Sequence, residues 1–110
     1  MRTTDQTATT FPPPPKHLSA RAKQLWRELG PKHARSLQRR TLFQVALEAL
    51  STADSARLLI DKEGLISKTA STGALHVHPA AKLERESRQQ FARLWDVLNL
   101  RFDAAIDGRG

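Results

Sequence analysis

Residues 41–63 read TLFQVALEALSTADSARLLIDKE, and the architecture turns on them. Leu42, Val45, Ala46, Ala49, Ala53, Ala56 and Ile60 recur at helical spacing and fall in one narrow sector. Phe43, Leu47, Leu50 and Leu58 form a second apolar flank beside it. Between Thr41 and Ile60 only Glu48, Asp54 and Arg57 are charged. The spacing predicts a long second helix from about 38–41 to Glu63, stopped by Gly64. A helix that is apolar on more than one side needs more than one packing partner. In a chain of 110 residues the second partner is expected to be another subunit, with Phe43, Leu47, Leu50 and Leu58 at the interface.

Upstream, Ser19 is a good N-cap, and Ala22, Leu25, Trp26 and Leu29 form one apolar stripe, which predicts a first helix. Gly30-Pro31 is expected to end it, leaving 32–38 as a basic connector. Residues 1–18 are read as a flexible arm or spacer, because Pro12 to Pro15 cannot join a helix interior. Downstream, 65–78 lose the helical period around a Ser/Thr/Gly-rich centre. They read as a short β-hairpin or extended loop with a mobile tip. Pro79 opens a third helix, whose stripe is Ala80, Leu83, Ser87, Phe91, Leu94, Trp95 and Leu98, with Asn99 as its cap. Phe102, Ala105 and Ile106 would extend the stripe, and Gly108-Arg109-Gly110 is expected to fray. The fold class is therefore mainly α: a helical domain over 19–100 with a three-helix core, the hairpin between helices two and three, a disordered Pro-rich arm and a tail over 101–110.

Composition sets the outer limits. The chain has no Cys, which rules out disulfides and thiolate zinc sites. No apolar run approaches the roughly 20 residues of a membrane span, and MRTTDQTATT has no apolar core of a secretory signal. The net charge is +7, and residues 16–40 carry all of it: Lys16, Arg21, Lys23, Arg27, Lys32, Arg35, Arg39 and Arg40 against Glu28 alone. Such a block attracts polyanions. Lys23 and Arg27 share a helix flank, while Lys32, Arg35, Arg39 and Arg40 crowd the connector and the start of helix two. These six form the candidate DNA-binding set. Arg39 and Arg40 stand at a helix N-terminus, where a cation opposes the dipole, so they are expected to serve binding rather than stability. The rival assignment pairs them with acids of a neighbouring subunit.

Catalytic signals are sparse. There is no phosphate-binding loop of the G-x-x-x-x-G-K-[ST] type and no serine in a nucleophile elbow. No carboxylates are spaced for a two-metal nuclease. Neither enzymatic activity nor a cofactor is expected. His76-x-His78 is the one pair able to face a metal from a strand; the alternative is that His78 ends the extended segment before Pro79. Trp26 and Trp95 lie in apolar stripes, so they read as core rather than as base-stacking platforms.

Taken in order, several fragments resemble the small terminase subunit family of tailed bacteriophages, in its short form. Pro13-Pro14-Pro15-Lys16-His17-Leu18-Ser19, followed by Ala22-Lys23 and Leu25-Trp26-Arg27, is similar to the family's "PPxHLSxxAKxxWR" opening. Ile60-Asp61-Lys62-Glu63-Gly64-Leu65 resembles its "L-x-K-E-G-L", and His78-Pro79-Ala80-Ala81-Lys82-Leu83 its "HPALK". Trp95-Asp96-Val97-Leu98-Asn99-Leu100 stands where the family often has "L-G-L-T-P". The chain departs from the pattern at Gln38-Arg39-Arg40-Thr41 and at Arg101-Phe102-Asp103. The resemblance covers about residues 12–100. It implies a DNA-packaging role in the host cytoplasm: a homo-oligomeric ring that binds double-stranded viral DNA and engages the large terminase subunit, which holds the ATPase and nuclease. Two other readings stand beside it. One is a helical interaction module with a solvated basic surface and a partner-docking proline arm. The other is a small metal-dependent nuclease using His76 and His78.

Overall fold

The structure is a computed structural model that describes residues 11–68 and 73–100. Three helices and one small hairpin follow in order: α1 (Ala20–His33), α2 (Leu37–Glu63), β1 (Ile66–Lys68), β2 (Leu75–Val77) and α3 (Pro79–Val97). The mainly helical architecture with a hairpin between the second and third helices is the one the periodicity predicts. The expected mobile hairpin tip (69–72), the leader 1–10 and the segment 101–110 lie outside the described residues.

α2 is the axis on which the rest is hung. Its 27 residues span about 40 Å. Ala46, Ala49, Ala53, Ala56 and Ile60 are buried at alternating spacings of three and four, the pattern of a helix seam. Small side chains along that seam let α3 lie close. α3 runs antiparallel to α2: Trp95 stacks near Phe43 with ring centroids 6.0 Å apart, while Ala80 meets Ala56 and Ile60 at the other end. α1 is antiparallel to α2 as well, since Ser19 and Arg21 bond Ser51 and Asp54 and Trp26 stacks on Phe43 at 5.8 Å.

Phe43, Leu47 and Leu50 therefore belong to the chain's own core, together with Leu18, Ala22, Trp26 and Leu98. This corrects their expected place at a subunit interface: the second apolar flank finds its partner in α1 and the leader, which the periodicity of α2 alone does not contain. Of the four expected interface residues only Leu58 is exposed, at 69%. Trp26 and Trp95 pack in the core, as their stripes require.

Two boundaries differ from the sequence reading. α1 continues through Gly30-Pro31 to His33. Pro31 removes one hydrogen bond only in the last turn, where little helix remains to be lost, and the Ala34 N–H closes the helix on the Gly30 carbonyl at 2.8 Å. α2 starts at Leu37 because the Ser36 hydroxyl accepts from the Arg39 N–H. Other ends follow the chemistry of their residues. Gly64 ends α2 with φ 91°. Asn99, at φ 60°, ends α3 in a Schellman turn: Asn99 N–H bonds the Asp96 carbonyl and Leu100 N–H the Trp95 carbonyl.

The leader is not a free arm from residue 11 onward. Phe11 lies against Trp26 at 5.2 Å, the Trp26 indole N–H donates to the Pro12 carbonyl at 2.8 Å, and Leu18 is buried. Gly30 makes room for it. A Cβ there would run into Phe11 Cε2 and Cζ. The prolines hold the segment extended without needing backbone partners, so one aromatic anchor is enough to lay it on α1.

This packing yields a double-mutant test. Phe11→Ala should cost about 2 kcal/mol in denaturant unfolding, a fraction of the penalty for a fully buried Phe. Gly30→Ala should destabilise the wild type through the clash. In the Phe11→Ala background it should instead stabilise, by up to about 1 kcal/mol, the helix preference of Ala over Gly. Additive effects would show that the ring does not sit on Gly30.

Candidate nucleic-acid interface

Lys23 and Arg27 follow the buried Ala22 and Trp26 by one position each, which puts them at the margin of the α1 stripe, four residues apart. Lys32 lies in the last turn of α1 and Arg35 in the connector, both exposed. None of these four forms a salt bridge among the described residues, whereas the bases elsewhere include several pairs. Arg21 binds Asp54 at 2.5 Å, Arg57 binds Asp61 at 2.9 Å, and Arg88 binds Glu84 at 3.0 Å. Glu84 lies in the α2–α3 seam, and Arg57 of α2 answers it across the seam at 3.5 Å.

Arg39 and Arg40 are placed otherwise than expected. Arg39 Nε donates to the carbonyl of His33, the last residue of α1, and its Nη2 to the carbonyl of Leu98, the C-cap of α3. Both carbonyls sit at helix C-termini, where unsatisfied oxygens and the dipole favour a cation. The residue stands at the N-terminus of its own helix but serves the C-termini of two others. Arg40 donates from Nη2 to the Arg35 carbonyl at 3.1 Å and lies over the Phe11 ring at 5.5 Å. The argument that these two arginines lack a structural purpose is thus corrected. A sequence shows which helix a residue starts, not which helix ends meet there.

A polar seam that the sequence reading missed joins the leader to α2. His17 Nε2 bonds Glu48 Oε2 at 2.8 Å. Ser19 N–H donates to Ser51 Oγ at 2.8 Å, and Ser19 Oγ to Asp54 Oδ2 at 2.9 Å. The available signal was the spacing Glu48, Ser51, Asp54: polar positions three apart that fall on one flank of the helix. The Glu48 carboxyl is held below the ordinary carboxylate range, first by the hydrogen bond from Gln44, against the opposing effect of burial, and then by His17.

At the far end, His78 is the N-cap of α3. Its Nδ1 accepts from the Ala80 N–H at 3.0 Å, and its Nε2 donates to Glu63 Oε1 at 2.7 Å. Both nitrogens are engaged, so His78 serves as the cap and not as one half of a metal pair with His76. Among the described residues no group of three or more His, Asp or Glu side chains is placed to hold a metal ion, and no helix is long and apolar enough to cross a membrane.

Compared with protein-family models, curated proteins and solved structures, the chain matches none.

Arg39→Ala should lower stability by about 2 kcal/mol, because it leaves two helix-end carbonyls without a charged donor. Arg35→Ala, an exposed side chain, should change it by no more than about 0.5 kcal/mol. Equal effects in thermal unfolding would contradict the bridging role of Arg39. Glu48 makes a pH prediction. Its folded pKa is depressed, so its contribution is complete above the unfolded value and is lost as the pH falls through the folded one. The stability advantage of wild type over Glu48→Gln should hold steady near neutrality and shrink below about pH 4.3. A constant difference through the acid range would remove Glu48 from the linkage.

Proposed function

We propose that this chain is a small, non-enzymatic terminase subunit: it binds double-stranded viral DNA, assembles as a ring, and recruits and regulates the large ATPase-nuclease subunit during genome packaging in the host cytoplasm. The observation that carries the DNA-binding part is the set Lys23, Arg27, Lys32 and Arg35. These four cations have no acidic partner among the described residues, and they lie within the short module that holds the entire net charge. Phosphate binding is the chemistry such a set offers, and it is sequence-independent.

The terminase part rests on the motif resemblance, and the spatial relations of those motifs support it. His17-Leu18-Ser19 docks as a unit, with His17 on Glu48, Leu18 in the core and Ser19 on Ser51 and Asp54. Glu63 and His78, fifteen residues apart and in two of the fragments, bond each other. The second contact joins two of the resembling fragments, and the first docks the opening fragment on a part of α2 that lies outside them. The rival module that docks partners through its proline arm loses support, because Phe11 and Pro12 are already engaged by Trp26.

Salt-dependent DNA binding tests the reading. Removing one cation that neutralises a phosphate should flatten the slope of log K against log salt by roughly 0.9. Replacing Lys23, Arg27, Lys32 and Arg35 together by Ala should flatten it by about 3.6 units, with the helical circular dichroism unchanged. A folded variant with the wild-type slope rejects this interface.

A further inference from the structure

One cation of the basic module is an acceptor short. The Arg40 guanidinium makes a single hydrogen bond among the described residues, from Nη2 to the Arg35 carbonyl at 3.1 Å. Its Nε is buried and has no partner, and no described carboxylate pairs with it. A buried N–H of a charged group with no acceptor carries its desolvation cost without the bond that offsets it. The Phe11 ring, whose centre lies 5.5 Å from Arg40 Cζ, attracts the charge without replacing an oxygen acceptor.

The surroundings say which acceptor is missing. Lys23, Arg27 and Gly30 stand at i, i+4 and i+7, one row along α1. Phe11 lies on Gly30 and Arg40 lies over Phe11. The ring thus occupies the place where the row of Lys23 and Arg27 would pass to Arg40 and then to Arg35. A guanidinium takes phosphate oxygens on two adjacent N–H groups, and Nε with an Nη is one such edge.

Phe11 is lightly held. Between it and the buried Leu18 run Pro12 to Pro15, which have no N–H to donate. What fixes this stretch is the ring contact on Trp26 at 5.2 Å, the fit against Gly30, the Arg40 cation, and the bond from the Trp26 indole to the Pro12 carbonyl at 2.8 Å. The next anchors are His17 on Glu48, Leu18 in the core and Ser19 on Ser51, and none of them involves Phe11. The stretch from Phe11 to Pro15 is therefore a strap that lifts without unpacking the helices.

Resting on the DNA-binding reading above, we infer that Arg40 is a further phosphate-binding residue of that interface, withheld by the Phe11 strap until duplex DNA takes the strap's place. When the strap lifts, Arg40 exchanges a ring face for a phosphate oxygen and continues the row of Lys23 and Arg27. The docked strap lowers the apparent affinity of the free protein in proportion to the fraction of molecules in which it is open.

Duplex DNA binding measured against salt tests this with Phe11→Ala, Arg40→Ala and the double variant, each checked for its helical circular dichroism. Phe11→Ala should bind about tenfold tighter than wild type, the gain when a competent state near one part in ten becomes the whole population. Its slope of log K against log salt should match the wild type. Arg40→Ala should flatten that slope by roughly 0.9, one phosphate contact, in both backgrounds. Without Arg40 the strap has nothing to withhold, so Phe11→Ala should then add no affinity. Phe11→Leu and Arg40→Gln are the second variants should either alanine change unfold the chain, with the same directions expected. A folded Arg40 variant with the wild-type slope, or a folded Phe11 variant that binds no tighter, overturns the inference and leaves the interface of Lys23, Arg27, Lys32 and Arg35 standing. A gain from Phe11→Ala that persists without Arg40 overturns it as well. A wild-type chain whose DNA binding is absent or independent of salt overturns the inference and that interface together.

Discussion

Five aromatic rings in sequence hold this protein together: Phe11 on Trp26, Trp26 on Phe43, Phe43 on Trp95, and Trp95 on Phe91, with centroids 4.7 to 6.0 Å apart. The line crosses from the leader through α1 and α2 into α3, so every helix is fixed to its neighbour by a ring that is itself fixed on its other side. A chain this short has little apolar area to spare, and it concentrates that area in its largest side chains. The consequences reach outward from the stack. Gly30 must lack a side chain because Phe11 lies on it. Arg40 is drawn over Phe11. The Schellman turn at Asn99 brings Leu100 back toward Trp95.

The same arrangement divides the molecule electrically. The stack gathers α1, the connector and the start of α2 at one end, and with them the residues that hold the net charge. Arg39 there bonds backbone carbonyls at the ends of two helices, and Arg40 bonds the carbonyl of Arg35 in the connector. Lys23, Arg27, Lys32 and Arg35 have no such duty. The rest of the chain from 41 to 100 is electrically balanced, and it holds the seam of small residues, a capped junction between Glu63 and His78, and a hairpin on which Ile66, Leu75 and Val77 are exposed.

Much of this was legible in residues 41–63 and their flanks. The apolar sector of α2, the N-cap at Ser19, the stops at Gly64 and Asn99, Pro79 at the start of α3 and the break in period over 65–78 are local signals. Each depends on steric and hydrogen-bonding preferences within a few residues, so one strand of text contains them. Lys23, Arg27, Lys32 and Arg35 were likewise visible as a block of charge.

Where the helices run, which of their faces are apolar and where the charge lies were thus written along the chain, because they follow from neighbours in sequence. Which apolar face meets which was not. Folding turned Phe43, Leu47 and Leu50 inward, laid Phe11 on Gly30, let α1 run through Pro31, and set Arg39 between the ends of two other helices. These outcomes depend on contacts between residues such as 39 and 98, far apart in sequence. A hydrophobic flank is attracted to any apolar surface without regard to direction, so its periodicity announces that a partner is needed but not whether the partner is the chain itself or another copy.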